Sequence, residues 1–158
     1  MEGNTVSVDR VIKAPASAIF AIVADATRHP EIDGSGALVK TKDGAPDRLT
    51  LGSTFGMSMK MGIGYSMVNT VVEFEQDRRI AWQARPPGLP GRFTAGRIWR
   101  YELDPDGEGS TRVRESWDIS EDHQRWFLKL GGLPEKTRGN MEKTLVRIEE
   151  LTNGSTSH

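Results

Sequence analysis

Glu115 is spaced to share one face of an extended segment with Val113, Trp117 and Ile119, because side chains two apart on a strand point the same way. The preceding extended segment places Trp99, Tyr101 and Leu103 on one face by the same period. An ionised carboxylate among such neighbours is costly. Once those faces are enclosed, Glu115 either lines a cavity or is held by a buried partner. In a dry pocket its pKa rises toward the range that a general acid or base needs near neutrality. The alternative is a structural ion pair, with Arg97 or with an arginine of a neighbouring strand. Arg97 follows the alternation of Trp99 and Tyr101, so its fork of donors is placed either to orient a carbonyl or enolate or to sit at the exposed start of the strand. Tyr65 shares a face with Met67 and Asn69; its phenol either donates to a ligand oxygen or packs on the sheet with a rim hydrogen bond.

Other chemistries are poorly supported. The three histidines, His29, His123 and His158, have no close helical spacing to one another and no carboxylate set beside them, so no metal site is expected. There is no cysteine, which removes thiolate catalysis, disulfides and cysteine-bound zinc, and fits a reducing cytoplasm. The glycine-containing runs 52–64 and 88–96 match neither a phosphate loop nor a dinucleotide fingerprint, so no cofactor is expected. No serine sits in a glycine-flanked elbow. With 21 Lys and Arg against 22 Asp and Glu, a net charge of -1 offers nothing to nucleic acid. The polar start of the chain lacks a signal-like apolar core, and no run is long enough for a membrane span.

The chain's 158 residues fit one domain, read as residues 1–152 with a loose polar tail at 153–158. Thr5 to Lys13 reads as a strand and Pro15 to Ala24 as a helix opened by proline, with Ile19, Phe20, Ile22 and Val23 on one side. Thr27 to Pro30 breaks that helix before a short turn through Ile32. Six strand-like runs follow, near 37–42, 51–61, 65–75, 79–85, 95–104 and 111–119, separated by turn residues such as Asp43-Gly44-Ala45-Pro46, Gly62-Ile63-Gly64 and Gln76-Asp77-Arg78. Their succession implies an antiparallel meander. Helical spacing returns around Trp126 to Leu130 and again over 134–151, where Met141, Leu145, Ile148 and Leu151 form an apolar stripe.

Phe55, Met57, Met59 and Met61 alternate with small or polar residues, placing one aromatic and three flexible thioethers on a single face. That suits a pocket for variable apolar ligands, or equally a core that fills irregular gaps. The proline-rich stretch from Arg85 to Phe93 reads as a flap or a rigid hairpin connection. Trp126-Phe127-Leu128, beside Gly131-Gly132, reads as an aromatic lid, or as a homodimer contact if exposed.

Several segments carry a resemblance. Val11-Ile12-Lys13-Ala14-Pro15-Ala16 with Ile19 to Asp25, then His29-Pro30-Glu31, Arg78 to Trp82, Trp99 to Leu103 and Ser110 to Trp117 resemble the helix-grip superfamily of START-type lipid-transfer domains, polyketide cyclases and related ligand carriers. The likeness spans nearly the whole chain and implies an α+β fold: a curved antiparallel sheet of about seven strands wrapped around a long C-terminal helix. It also implies an internal cavity between sheet and helix, a usual place for an apolar ligand. Its lining is expected from Phe55, Met57, Met59, Met61, Trp82, Trp99, Tyr101, Trp117, Met141 and Leu145. Binding of a hydrophobic small molecule (a lipid, an isoprenoid or a polyketide-like compound) is the first functional expectation. The second is a polyketide cyclase or dehydratase-like enzyme in which Glu115, Arg97 or Tyr65 handles a proton. The third is a protein-interaction or toxin-like module with a filled core.

Overall fold

The computed structural model describes residues 3–36, 38–41, 48–61, 63–85, 96–122 and 125–156. The turn at 43–46, Gly62 and the stretch 86–95 lie outside them, as do the side chains of Met61 and Tyr65. Seven strands form one antiparallel sheet: β1 (Thr5–Ile12), β2 (Leu38–Thr41), β3 (Thr54–Met61), β4 (Ile63–Glu75), β5 (Arg79–Arg85), β6 (Ile98–Pro105) and β7 (Thr111–Asp118). Their spatial order is β1-β7-β6-β5-β4-β3-β2. The meander from β2 to β7 therefore runs in chain order, and β1 closes the far edge by pairing with β7.

That order fixes the role of the first helices. β1 and β2 lie on opposite edges, so the chain between them must cross the sheet. It does so through α1 (Ala16–Val23), a single 3-10 turn (Ala26–Arg28) and α2 (His29–Ile32). Pro15 precedes the first turn of α1, with φ −69° suited to helix entry. Ile19, Phe20, Ile22 and Val23 are the buried face, as their spacing requires. Asp25 caps the 3-10 turn by accepting from the Thr27 amide at 3.0 Å. Asp33 then receives the amides of Ser35 and Leu38, turning the chain toward β2.

The sheet is two-sided in chemistry. Its outer face carries ion pairs, chief among them Arg100 on Glu73 (Nη2 to Oε2, 2.6 Å) with Asp118 beside them. Its inner face carries Tyr101, Leu103, Val113 and Trp117, all buried. Register shifts between Val71 and Glu73, and between Leu38 and Lys40, bend the long β4 and the short edge strand, as an extra residue in one strand does.

Two further helices follow, α3 (Arg125–Leu128) and α4 (Leu133–Thr156). Between them Gly131 and Gly132 take φ of 65° and 74°, a left-handed turn that glycine accepts without steric cost. Leu128 is buried, whereas Trp126 and Phe127 stand 68% and 77% exposed, with Arg125 and Lys129 over the Trp126 ring. α4 spans about 36 Å and packs on β1, α1 and α2. It continues to Thr156, into the segment 153–158 that the sequence reads as tail. Thr152 binds back to the Ile148 and Glu149 carbonyls, and the stretch between them holds no proline to stop the helix. No helix among the described residues is long and apolar enough to cross a membrane.

Candidate functional site

Between the inner face of the sheet and α4 lies a cavity of about 810 Å³. Its walls come from four sources: the α2 end (His29, Ile32, Asp33), the β3–β4 side (Met57, Met59, Met67, Asn69), the β5–β7 side (Trp82, Trp99, Tyr101, Glu115, Trp117) and one stripe of α4. Ser35, Gly36, Lys60 and Lys136 line it and are exposed, which marks them as its rim.

Strand pairing assembles the polar centre. The β6–β7 register sets Trp99 opposite Trp117 and Tyr101 opposite Glu115. Side chains so paired lie within reach of one another, and the Tyr101 hydroxyl donates to Glu115 Oε1 at 2.8 Å. Glu115 is 3% exposed, and its Oε2 is buried without a hydrogen-bond partner. Burial pushes this carboxyl up from 4.5 to about 8; the Tyr101 bond pulls against that and the Asp33 charge adds to it. At neutral pH Glu115 therefore holds its proton, which leaves a neutral acid able to donate into the cavity. Burial, and then the neighbouring Glu115, push the Tyr101 phenol well above its usual 10, so it remains a donor.

Arg97 lines the cavity but does not neutralise Glu115. Its Nε lies 3.6 Å from Asp122 Oδ2 instead. That corrects the ion pair weighed from sequence: Asp122 follows β7, at a place strand periodicity does not reach. Met57, Met59, Trp82, Trp99, Tyr101, Trp117 and Met141 line the wall as expected. Phe55 does not; it is buried behind the wall, edge-on to His29 and Trp82. Leu145 is likewise fully buried in the core, and Thr144 takes the lining position on its turn of helix. The backbone of Met61 and Tyr65 belongs to β3 and β4; their side chains stand outside the described residues.

Sequence reasoning passed over two kinds of lining residue. One is the polar part of the α4 stripe, Lys136, Thr137, Asn140 and Thr144, on either side of the expected Met141; their three-and-four spacing is helical but contains too few apolar residues to register as a buried face. The other is His29. It is 3% exposed, stacked on Trp82 with ring centroids 4.8 Å apart, and its Nε2 lies 2.7 Å from the Val23 carbonyl. Burial lowers its pKa, so the ring is neutral. Among the described residues no cluster of His, Cys, Asp or Glu is placed to hold a metal.

A bent antiparallel sheet closed over a long terminal helix, with a hollow between them, defines a START-like helix-grip domain of ligand-binding type. The chain belongs to the polyketide cyclase / dehydrase and lipid transport family, whose profile matches residues 4–152. Rv0088 of Mycobacterium tuberculosis, itself uncharacterized, is 30% identical over 147 residues, covering 88% of this chain and 60% of that protein. The chain thus spans about three fifths of the length of this curated relative. A START superfamily protein from Mycobacterium smegmatis has a TM-score of 0.70 at 16% identity, covering 96% of this chain and 99% of that one. The polyketide cyclase-like protein Cgl2372 from Corynebacterium glutamicum has a TM-score of 0.63 at 24% identity, covering 100% and 97%. At such identities the likeness is one of fold.

Proposed function

We propose that this protein holds a hydrophobic small molecule, of lipid, isoprenoid or polyketide-like character, inside the cavity between sheet and α4. The observation that carries the reading is the composition of the walls: Met57, Met59, Met67 and Met141 line the space of about 810 Å³ together with Trp82, Trp99 and Trp117. Thioethers adapt to irregular guests and indoles supply large apolar area, the usual lining of a small-molecule site. The interaction-module reading needs a filled core and draws no support from this hollow.

Filling the space tests it. Met59 lines the cavity and is only partly buried, so Met59→Trp adds bulk into empty volume at little cost to the core. The neutral dye Nile red is expected to bind the unaltered protein with enhanced fluorescence, and Met59→Trp is expected to weaken that binding roughly tenfold or more, about 1.4 kcal/mol. Equal dye affinity in both proteins contradicts a guest at this site.

One observation favours a second, catalytic reading. Glu115 Oε2 is a buried oxygen with no partner and a proton to give. In that reading Glu115 is the general acid or base of a cyclase- or dehydratase-like reaction, the walls position a flexible poly-carbonyl chain, and Arg97 or Tyr65 orients an oxygen. Glu115→Gln separates the readings: retained Nile red affinity with lost turnover supports the enzyme, and unchanged turnover removes Glu115 from it.

A further inference from the structure

Besides Glu115 Oε2, two buried polar atoms on uncharged side chains of the cavity lining lack partners: His29 Nδ1 and Asn69 Nδ2. Buried groups left unbonded are uncommon and costly, and each needs an explanation. Both residues line the same cavity and both are nearly inaccessible, at 3% and 1% exposure.

The fold puts them on one patch of wall. Asn69 on β4 is the direct cross-strand partner of Phe55 on β3 and of Ala84 on β5. His29 sits edge-on to that same Phe55, with ring centroids 5.4 Å apart, and stacks on Trp82, two residues along β5 from Ala84. The hydrogen-bonding sense of each atom is also fixed. A carbonyl oxygen only accepts, so the His29 Nε2 that meets Val23 O carries the ring proton, and Nδ1 is left as an acceptor. Asn69 Nδ2 is an amide nitrogen and only donates.

One acceptor and one donor, both uncharged and both on lining residues that adjoin Phe55, complement a group that both gives and takes a hydrogen bond. We propose that His29 and Asn69 form a hydroxyl-binding subsite, so that the guest is a neutral apolar alcohol whose O–H donates to His29 Nδ1 while its oxygen accepts from Asn69 Nδ2. A ketone or ether satisfies Asn69 alone. A carboxylate brings a charge that neither of these two uncharged groups neutralises. The proposal rests on the ligand-binding reading above and adds the polar group of the guest to it.

Displacement of Nile red by decanol and by decyl methyl ether tests it, because the two differ chiefly in one O–H. Decanol is expected to displace the dye about tenfold more effectively than the ether, the worth of an acceptor no longer left bare. In Asn69→Leu, close in size and without a donor, decanol and the ether are both expected to weaken by roughly fivefold, because the oxygen of each accepts from Nδ2, while His29→Phe, which removes the Nδ1 acceptor, is expected to abolish the alcohol's advantage. Loss of the alcohol's advantage in Glu115→Gln, with its retention in His29→Phe, places the hydroxyl on Glu115 and overturns the subsite. Equal displacement by alcohol and ether in the unaltered protein overturns the subsite yet leaves the cavity's ligand-binding role standing, as does an undiminished preference in His29→Phe or unchanged affinity for both competitors in Asn69→Leu. Failure of Nile red to bind at all removes both, and is read before either competitor is added.

Discussion

Replacing Glu115 by glutamine is expected to flatten the dependence of stability on pH and to make the protein more stable in mild alkali by up to about 5 kcal/mol. The carboxyl titrates near 4.5 when exposed to water and at about 8 in the folded protein. Below pH 4.5 it is protonated in both states and costs nothing. Between 4.5 and about 8 the unfolded chain releases the proton while the native state keeps it, so stability falls as pH rises. Above about 8 the buried group is ionised as well and the loss is complete. That gap in pKa corresponds to about 5 kcal/mol. Glutamine is near-isosteric, still accepts from Tyr101, and does not ionise, so the descent disappears. Urea unfolding at pH 5, 7 and 9 measures it: the two proteins should be close at pH 5 and diverge by pH 9. Parallel profiles contradict the account of Glu115 as a buried neutral acid.

Gly34→Ala is expected to destabilise the protein by about 3 kcal/mol and lower the melting temperature by roughly 6–12 °C. Gly34 follows α2 and lies against the backbone of α4: an added Cβ would stand 2.8 Å from both Lys143 Cβ and Thr144 N, and closer still to Asn140 O. Backbone cannot swing aside as a side chain can. The same contact is stitched by Gly34 N donating to Thr144 Oγ1 at 2.9 Å and by the Arg147 guanidinium donating to the Asp33 carbonyl. Because His29, Ile32 and Asp33 on one side and Asn140 and Thr144 on the other are cavity wall, forcing the two apart also distorts the site. Gly36 is the control. It has φ of 71° but nothing within 4 Å of an added Cβ, so Gly36→Ala is expected to cost only about 1–2 kcal/mol of backbone strain. Calorimetry distinguishes them, and equal melting temperatures for the two variants contradict the close helix contact.

Much of this architecture was legible because period-two alternation and turn chemistry are local signals. The run 79–85 matches β5 in full, and the faces carrying Trp99, Tyr101, Glu115 and Trp117 follow from alternation alone. Which residue meets which does not. Tyr101 faces Glu115 only because the turn closed by Asp106 N on Ser110 O has its particular length, and a change of one residue would shift every pair. The His29 subsite was illegible for a stronger reason. In sequence His29 is an isolated histidine ahead of a proline; its value comes from Trp82 and Phe55, supplied by strands that tertiary folding brings to it. Arg97 and Asp122 find each other across a loop for the same reason.

The claim on which the rest depends is that an apolar guest enters the space between the sheet and α4. Labelling the methionine methyl groups with carbon-13 and titrating with Nile red tests it most directly, since Met57, Met59, Met67 and Met141 line that space on three different elements. The account predicts that the resonances of these four methyl groups shift together and saturate at one equivalent of dye. Resonances that stay in place while the dye binds elsewhere would contradict it.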